Sequence, residues 1–201
     1  MLEKYLECTH YVDFDDEAVS ELAAGIKRKS DDESSLIENT YLFVRDEIHH
    51  SWDVNDRRVT VKASDVLREG VGICWAKANL FAALLRANGI PSGFSYQRIM
   101  FGNMPDDGYC IHCLNTVFVA SLNKWIRLDA RGNNERINAE FSLAEEKLAY
   151  HAGLEGEKDY HNNDFAPDEK LMKLLESSDD VIDMCLHHMT DCLYTETQGH
   201  L

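Results

Sequence analysis

Positive charge is scarce in this chain. Its 201 residues carry 20 lysines and arginines against 36 acids, a formal net charge of −16. Such a field repels polyanions, which argues against nucleic acid and anionic membranes as partners. No uninterrupted apolar run approaches the roughly 18 residues of a membrane-spanning helix. Met1-Leu2-Glu3-Lys4 leads into acidic residues, not into the basic and then apolar stretch of a secretory leader. Six cysteines without such a leader point to reduced thiols and a cytoplasmic protein rather than a disulfide framework. There is no internal repeat, no low-complexity tract and no Asp-x-Asp-x-Asp-Gly calcium loop.

The acidity is unevenly spread. Residues 1–50 hold 13 acids and five basic residues, residues 51–150 hold 11 and 12, and residues 151–201 hold 12 and three. A nearly neutral middle block is flanked by acidic segments. Solvated helix faces explain the flanks; attraction of basic substrates is the alternative. A chain of this length buries a substantial core and reads as one domain, 1–201, with N-terminal helices over 1–32, a core at about 33–150 and an acidic helical extension over 151–201.

The middle block contains one cysteine in an informative setting. Gly70-Val71-Gly72-Ile73-Cys74 leads into Trp75-Ala76-Lys77-Ala78-Asn79-Leu80-Phe81-Ala82-Ala83-Leu84-Leu85-Arg86-Ala87. The latter is rich in strong helix formers, and Cys74, Ala78, Phe81 and Leu85 recur at helical spacing. Asn88-Gly89 is a stop signal, and Pro91 prevents continuation. Cys74 is thus placed at the first turn of a helix, where free N–H groups and the positive dipole end favour a thiolate. The plain alternative is a cysteine that only packs a core helix.

Three strands are expected next: Phe94 to Met100, Tyr109 to Ala120 and Trp125 to Asp129, with a loop over 102–108 and a tight turn at Ser121 to Lys124. His112 falls near the start of the second strand and Asp129 at the end of the third. In a hairpin centred near 122 and 123, diagonal or bulged contact between them is within reach. A cysteine, a histidine and a carboxylate are the parts of an activated nucleophile. The thiolate attacks a carbonyl, the imidazole moves the proton, and the carboxylate orients the imidazole. The N–H of Cys74 is a natural oxyanion donor; Trp52 and Asn55 are candidates for the second.

Other constellations compete. Cys110 and Cys113 have metal-knuckle spacing, and Cys185, His187, His188 and Cys192 would complete a zinc site on paper. Cys110 and Cys113, however, point to opposite faces of a continuous strand, which opposes both zinc and a disulfide. No metal and no cofactor is therefore expected. His49, His50, His187 and His188 read as surface or helix-end residues. Arg127 and Arg131 read as surface or ion-pairing groups beside Asp129, with substrate binding as the alternative.

On the flanks, Asp15-Asp16-Glu17 opens a helix with Ala18, Val19, Leu22, Ala23 and Ile26 as its apolar stripe. Asp31-Asp32-Glu33 opens another, with Ile37, Tyr41, Val44 and Ile48 on one face. Val59-Thr60-Val61 suggests a short strand, Ser64 a helix cap, and Ser142-Leu143-Ala144-Glu145 a capping box opening a helix. A loop over 153–167 precedes a helical pair at about 168–176 and 179–193, whose inner stripe is Ile182, Leu186, Met189 and Leu193.

Gly-Val-Gly-Ile-Cys74-Trp-Ala-Lys-Ala with Leu-Leu-Arg-Ala-Asn-Gly-Ile-Pro91 resembles the nucleophile segment of the transglutaminase-like superfamily. Ile111-His112-Cys113-Leu114-Asn115 and Trp125-Ile126-Arg127-Leu128-Asp129 resemble its His and Asp segments, and Tyr41 to Ile48 the helix before them. The resemblance covers about residues 33–150. It implies an α+β, papain-like fold, with helices packed on an antiparallel sheet and the nucleophile at a helix N-terminus. It also implies a Cys74-His112-Asp129 triad acting on a peptide or protein amide. Hydrolysis through an acyl-enzyme leads, transfer of the acyl group to an amine is the alternative, and a non-catalytic interaction module on the same fold is the third reading. Oligomeric state is left open.

Overall fold

The computed structural model describes residues 2–102 and 108–193. The chain folds around one helix, α5 (Cys74–Ala87), buried from Cys74 through Arg86. It is Ala- and Leu-rich on every side because it is covered on every side. The N-terminal helices α1 (Glu17–Arg28), α2 (Glu33–Leu42) and α4 (Ala63–Glu69) pack on one side of it and an antiparallel sheet on the other. Asp16 caps α1 by accepting from the N–H groups of Ala18 and Val19, and Asp32 caps α2 in a reciprocal box with Ser35. Val19, Ala23 and Ile26 of the first stripe are buried, as are Ile37, Tyr41, Val44 and Ile48 of the second. After α2 the chain widens into a π-helical turn, Phe43–Glu47. It then runs through β1 (His49–His50) into the short α3 (Ser51–Val54).

The four-stranded sheet has the order β5-β4-β3-β6, with β3 (Ser92–Met100), β4 (Tyr109–Val119), β5 (Lys124–Leu128) and β6 (Lys158–Asp159). All its pairings are antiparallel, and the β4–β5 ladder runs from Val119↔Lys124 to Asn115↔Leu128. The hairpin turn is a 3-10 turn, Ala120–Leu122, closed by Asn123 in the left-handed region (φ 48°). The sixth strand comes from the acidic extension, so that segment completes the sheet edge. Helices α6 (Glu169–Glu176) and α7 (Val181–His187) follow it and bury Leu171, Leu175 and Ile182. Buried Arg86 ties the pieces together, donating to the carbonyls of Ser92, Glu7 and Phe165.

Several local expectations fail for physical reasons. Val59-Thr60-Val61 forms no strand. Thr60 instead donates its hydroxyl to the Val71 carbonyl (2.9 Å), and the short parallel pair is β1 with β2 (Val71–Gly72). Ser64 lies inside α4 and bonds Asp13 (2.6 Å) instead of capping. Ser142 accepts from the N–H groups of Ala144 and Glu145, but no helix follows this turn. Of the last stripe, Leu186 is 52% exposed, while Ile182 and Leu193 are buried. The loop expected over 102–108 lies largely outside the described residues.

Candidate active site

The start of α5 is a tight junction. Gly70 ends α4 in the left-handed region (φ 67°), and β2 carries the chain directly into the helix. At Gly72 a side chain would meet Thr60 Oγ1 at 3.0 Å, a tight contact that glycine avoids. Cys74 is the first residue of α5, and Ile73 offers no side-chain cap to the free N–H groups. Cys74 keeps 9% of its surface exposed, where it lines a cleft of about 350 Å³.

His112 of β4 faces the same cleft. The Trp75 indole donates to the Ile111 carbonyl at 2.8 Å, so the residue after Cys74 is locked to the residue before His112. Asn115 adds a second tie, donating to the carbonyls of Ala78 and Gly93 (both 3.1 Å). These bonds set helix against strand and bring Cys74 and His112 to the lining of one cleft. The ring also packs edge-on against Tyr150, 4.8 Å between centroids.

Asp129 follows β5 directly. Its Oδ2 lies 2.8 Å from His112 Nε2 and also accepts the Ala149 N–H (3.0 Å), while Oδ1 accepts the Arg131 N–H (3.2 Å). The ladder stops at Leu128, so this is the diagonal contact past the end of a hairpin. With Nε2 held by Asp129, Nδ1 is the nitrogen left to face Cys74. Burial by itself would drive His112 neutral, but the Asp129 carboxylate and then Cys74 outweigh it and raise the ring to about 10. Burial pushes Asp129 up, yet His112 and the two backbone N–H groups hold it below the usual carboxylate range. The three residues singled out from the sequence are therefore one contiguous cluster.

A second imidazole completes the surroundings of Cys74. The Cys74 N–H donates to His50 Nε2 at 3.2 Å. His50 is thus not a surface residue, whereas His49 is exposed. Ile48 is buried, His49 exposed and the Nδ1 of His50 closed off, the alternation of a strand, but two strand residues are too few to show that period in the sequence. Burial first, then the positive charges of Arg131, Lys77 and His112, pull His50 well below its ordinary value. Lys77, a turn along α5 from Cys74, reaches back to the carbonyls of Ile48 and Arg45 and pins the segment that carries His50. Burial, with Arg131 adding to it, lowers the Lys77 ammonium to about 7.

Both arginines beside Asp129 are buried and paired. Arg127 binds Glu146 and Asp159, and Arg131 forms a two-toothed ion pair with Asp53 (2.6 and 2.9 Å). Trp52 sits at the cleft, edge-on to Phe101, with 40% of its surface exposed. Asn55 ends α3 (φ 53°) away from the cleft lining. Cys110 and Cys185 also line the cleft, but burial pushes both thiols up to about 12. Among the described residues no cluster of three or more metal-ligating side chains occurs, and no helix is long and apolar enough to cross a membrane.

The sequence profile described as the transglutaminase-like superfamily matches residues 20–130. No curated protein matches the chain. Among solved structures, a candidate cysteine protease from Cytophaga hutchinsonii is similar over 65% of this chain and 42% of that one, at 21% identity and a TM-score of 0.53. The periplasmic domain of TgpA from Pseudomonas aeruginosa is similar over 63% of this chain and 45% of that one, at 16% identity and a TM-score of 0.47. The chain thus spans less than half the length of either, and the first of these likenesses speaks to the fold alone. The profile covers more than half of the chain, and its span includes the helix of Cys74, the strand of His112 and Asp129. The chain belongs to the transglutaminase-like superfamily.

Proposed function

We propose that the protein is a cysteine hydrolase that cleaves a peptide or amide bond through an acyl-enzyme on Cys74. The observation that carries this reading is the 2.8 Å contact between His112 Nε2 and Asp129, with His112 and Cys74 lining the same open cleft. The Cys74 proton passes to His112, and the sulfur attacks the carbonyl carbon. The C–N bond breaks as His112 returns the proton to the leaving amine. Water then attacks the thioester, gives its proton to His112 and releases the carboxylic acid; the imidazolium and thiolate remain as a pair. Asp129 keeps its charge and orients the ring throughout.

Water and an amine compete for the same thioester, so acyl transfer uses the same residues. Supply of a labelled amine with a glutamine-containing peptide separates them: hydrolysis releases ammonia without incorporation, and transfer incorporates the label. The reading expects a Cys74-linked acyl adduct in intact-protein mass spectrometry and its loss in Cys74→Ala. An acyl adduct elsewhere, or full turnover by Cys74→Ala, contradicts it. We propose that the protein works where thiols stay reduced, in the cytoplasm.

A further inference from the structure

The Cys74 N–H is the donor that a thiol acyltransfer reaction would aim at its oxyanion, yet in this structure it is engaged by His50 Nε2 at 3.2 Å. An accepting Nε2 carries no proton, so a neutral His50 bears its proton on Nδ1. That nitrogen is closed off from solvent and has no hydrogen-bond partner. An unmatched buried donor is costly, and its persistence beside a nucleophile calls for a reason. The ring is held there deliberately. Lys77 grips the carbonyls of Ile48 and Arg45, and β1 pairs His50 with Gly72, two residues before Cys74.

The chemistry of the acceptor supplies the reason. A bond to a neutral ring nitrogen is a modest one, and a bond to an oxyanion is about twice as strong. A carboxylate at the same place would retain the N–H and set a negative charge beside the thiolate. A neutral imidazole orients the donor in the resting protein and gives it up when an alkoxide forms. Burial first, and then the cations around the ring, keep it neutral: Arg131 from the loop after β5, Lys77 from α5 and His112 from β4.

We infer that His50 is a positioning residue of this site, whose Nε2 holds the Cys74 N–H as a neutral, replaceable acceptor until an oxyanion takes the donor over. This rests on the proposed Cys74 chemistry. It assigns the two histidines different tasks, His112 moving protons and His50 holding the oxyanion donor.

Two probes separate those tasks. Iodoacetamide alkylates Cys74 by displacement, with no tetrahedral oxyanion. p-Nitrophenyl acetate acylates it through one, forming the C–S bond, breaking the ester C–O bond and releasing p-nitrophenolate. Both rates at Cys74 are measured for wild type, His50→Gln, His50→Asn and His50→Leu, each checked for folding by thermal melting. Glutamine carries its acceptor oxygen about as far out as Nε2, and asparagine does not. Acylation is expected to fall about ten-fold in His50→Leu and His50→Asn. It should stay within about three-fold of wild type in His50→Gln, with alkylation nearly unchanged in all. The ratio of wild-type to His50→Gln acylation should be constant between about pH 6 and 9, since the ring carries no charge to lose. Equal losses in both probes, failure of glutamine to rescue, a pH-dependent ratio, or unchanged acylation in all three variants overturns the inference while leaving the proposed function standing. A wild-type protein whose Cys74 reacts with neither probe overturns both.

Discussion

Cys74 shares its cleft with two histidines in opposite environments. His112 meets the Asp129 carboxylate at 2.8 Å and is raised to about 10. His50 meets burial and the charges of Arg131, Lys77 and His112 and is held well below its ordinary value. The side chains are identical and line one cleft. Their neighbours push one ring up and the other down; on the proposed chemistry this makes one a proton carrier and the other a neutral acceptor. Helix α5 is used twice: its first residue presents the thiol to the cleft, and Lys77 one turn on pins the segment that carries the second histidine.

The largest expected effects lie on the His112 side. Cys74→Ala and His112→Ala should each remove turnover by a factor on the order of 10⁶, while leaving the fold intact by circular dichroism. Asp129→Ala should cost less, on the order of 10⁴, because the carboxylate orients and does not react. A loss at Asp129 equal to that at Cys74, with folding intact, would mean that it does more than orient.

The two environments also predict opposite pH behaviour of stability. His112 is raised on folding, so its contribution is fully present below its unfolded value of about 6.5. It is lost as pH rises through about 10. Lys77 is lowered to about 7 on folding. It therefore opposes folding increasingly as pH falls from its unfolded value of about 10.4. Urea unfolding at pH 7 and pH 10 should show that His112→Asn gains relative to wild type at the higher pH and that Lys77→Met gains relative to wild type at the lower. Identical slopes in all three proteins would remove the electrostatic contrast. Lys77→Met also strips the Ile48 and Arg45 carbonyls of their donor, a cost of about 1–3 kcal/mol set against relief of a buried cation. The smallest effect is expected at Leu186→Ser on the exposed face of α7, within about 0.5 kcal/mol.

What the sequence made legible follows the same division. Cys74, His112 and Asp129 sit at the ends of strongly patterned elements, where period, breakers and turn residues all agree, and the family resemblance joined them. The hairpin register needed the structure, because a 3-10 turn with Asn123 in the left-handed region sets the pairing. His50 stayed hidden because its strand has only two residues, too few to show a period beside the neighbouring helix. Arg127 and Arg131 read as surface or ion-pairing groups; the pairing is there, but their burial and their partners Asp159 and Asp53, 32 and 78 residues away, were not legible. Ser142 shows the limit of a local signal. Its capping bonds form, but nothing packs a helix onto them.

The central claim is that Cys74 is an activated thiol despite its near burial. The most direct measurement is the order in which iodoacetamide labels the six cysteines near neutral pH, read by peptide mass spectrometry over time. Cys8 is the natural rival: it is exposed, though burial of its thiol and its bond to Asp15 raise its pKa. The account predicts that Cys74 is labelled first and stoichiometrically, and that His112→Asn removes its lead. Labelling of Cys8 ahead of Cys74, or a Cys74 rate indifferent to His112, would contradict it.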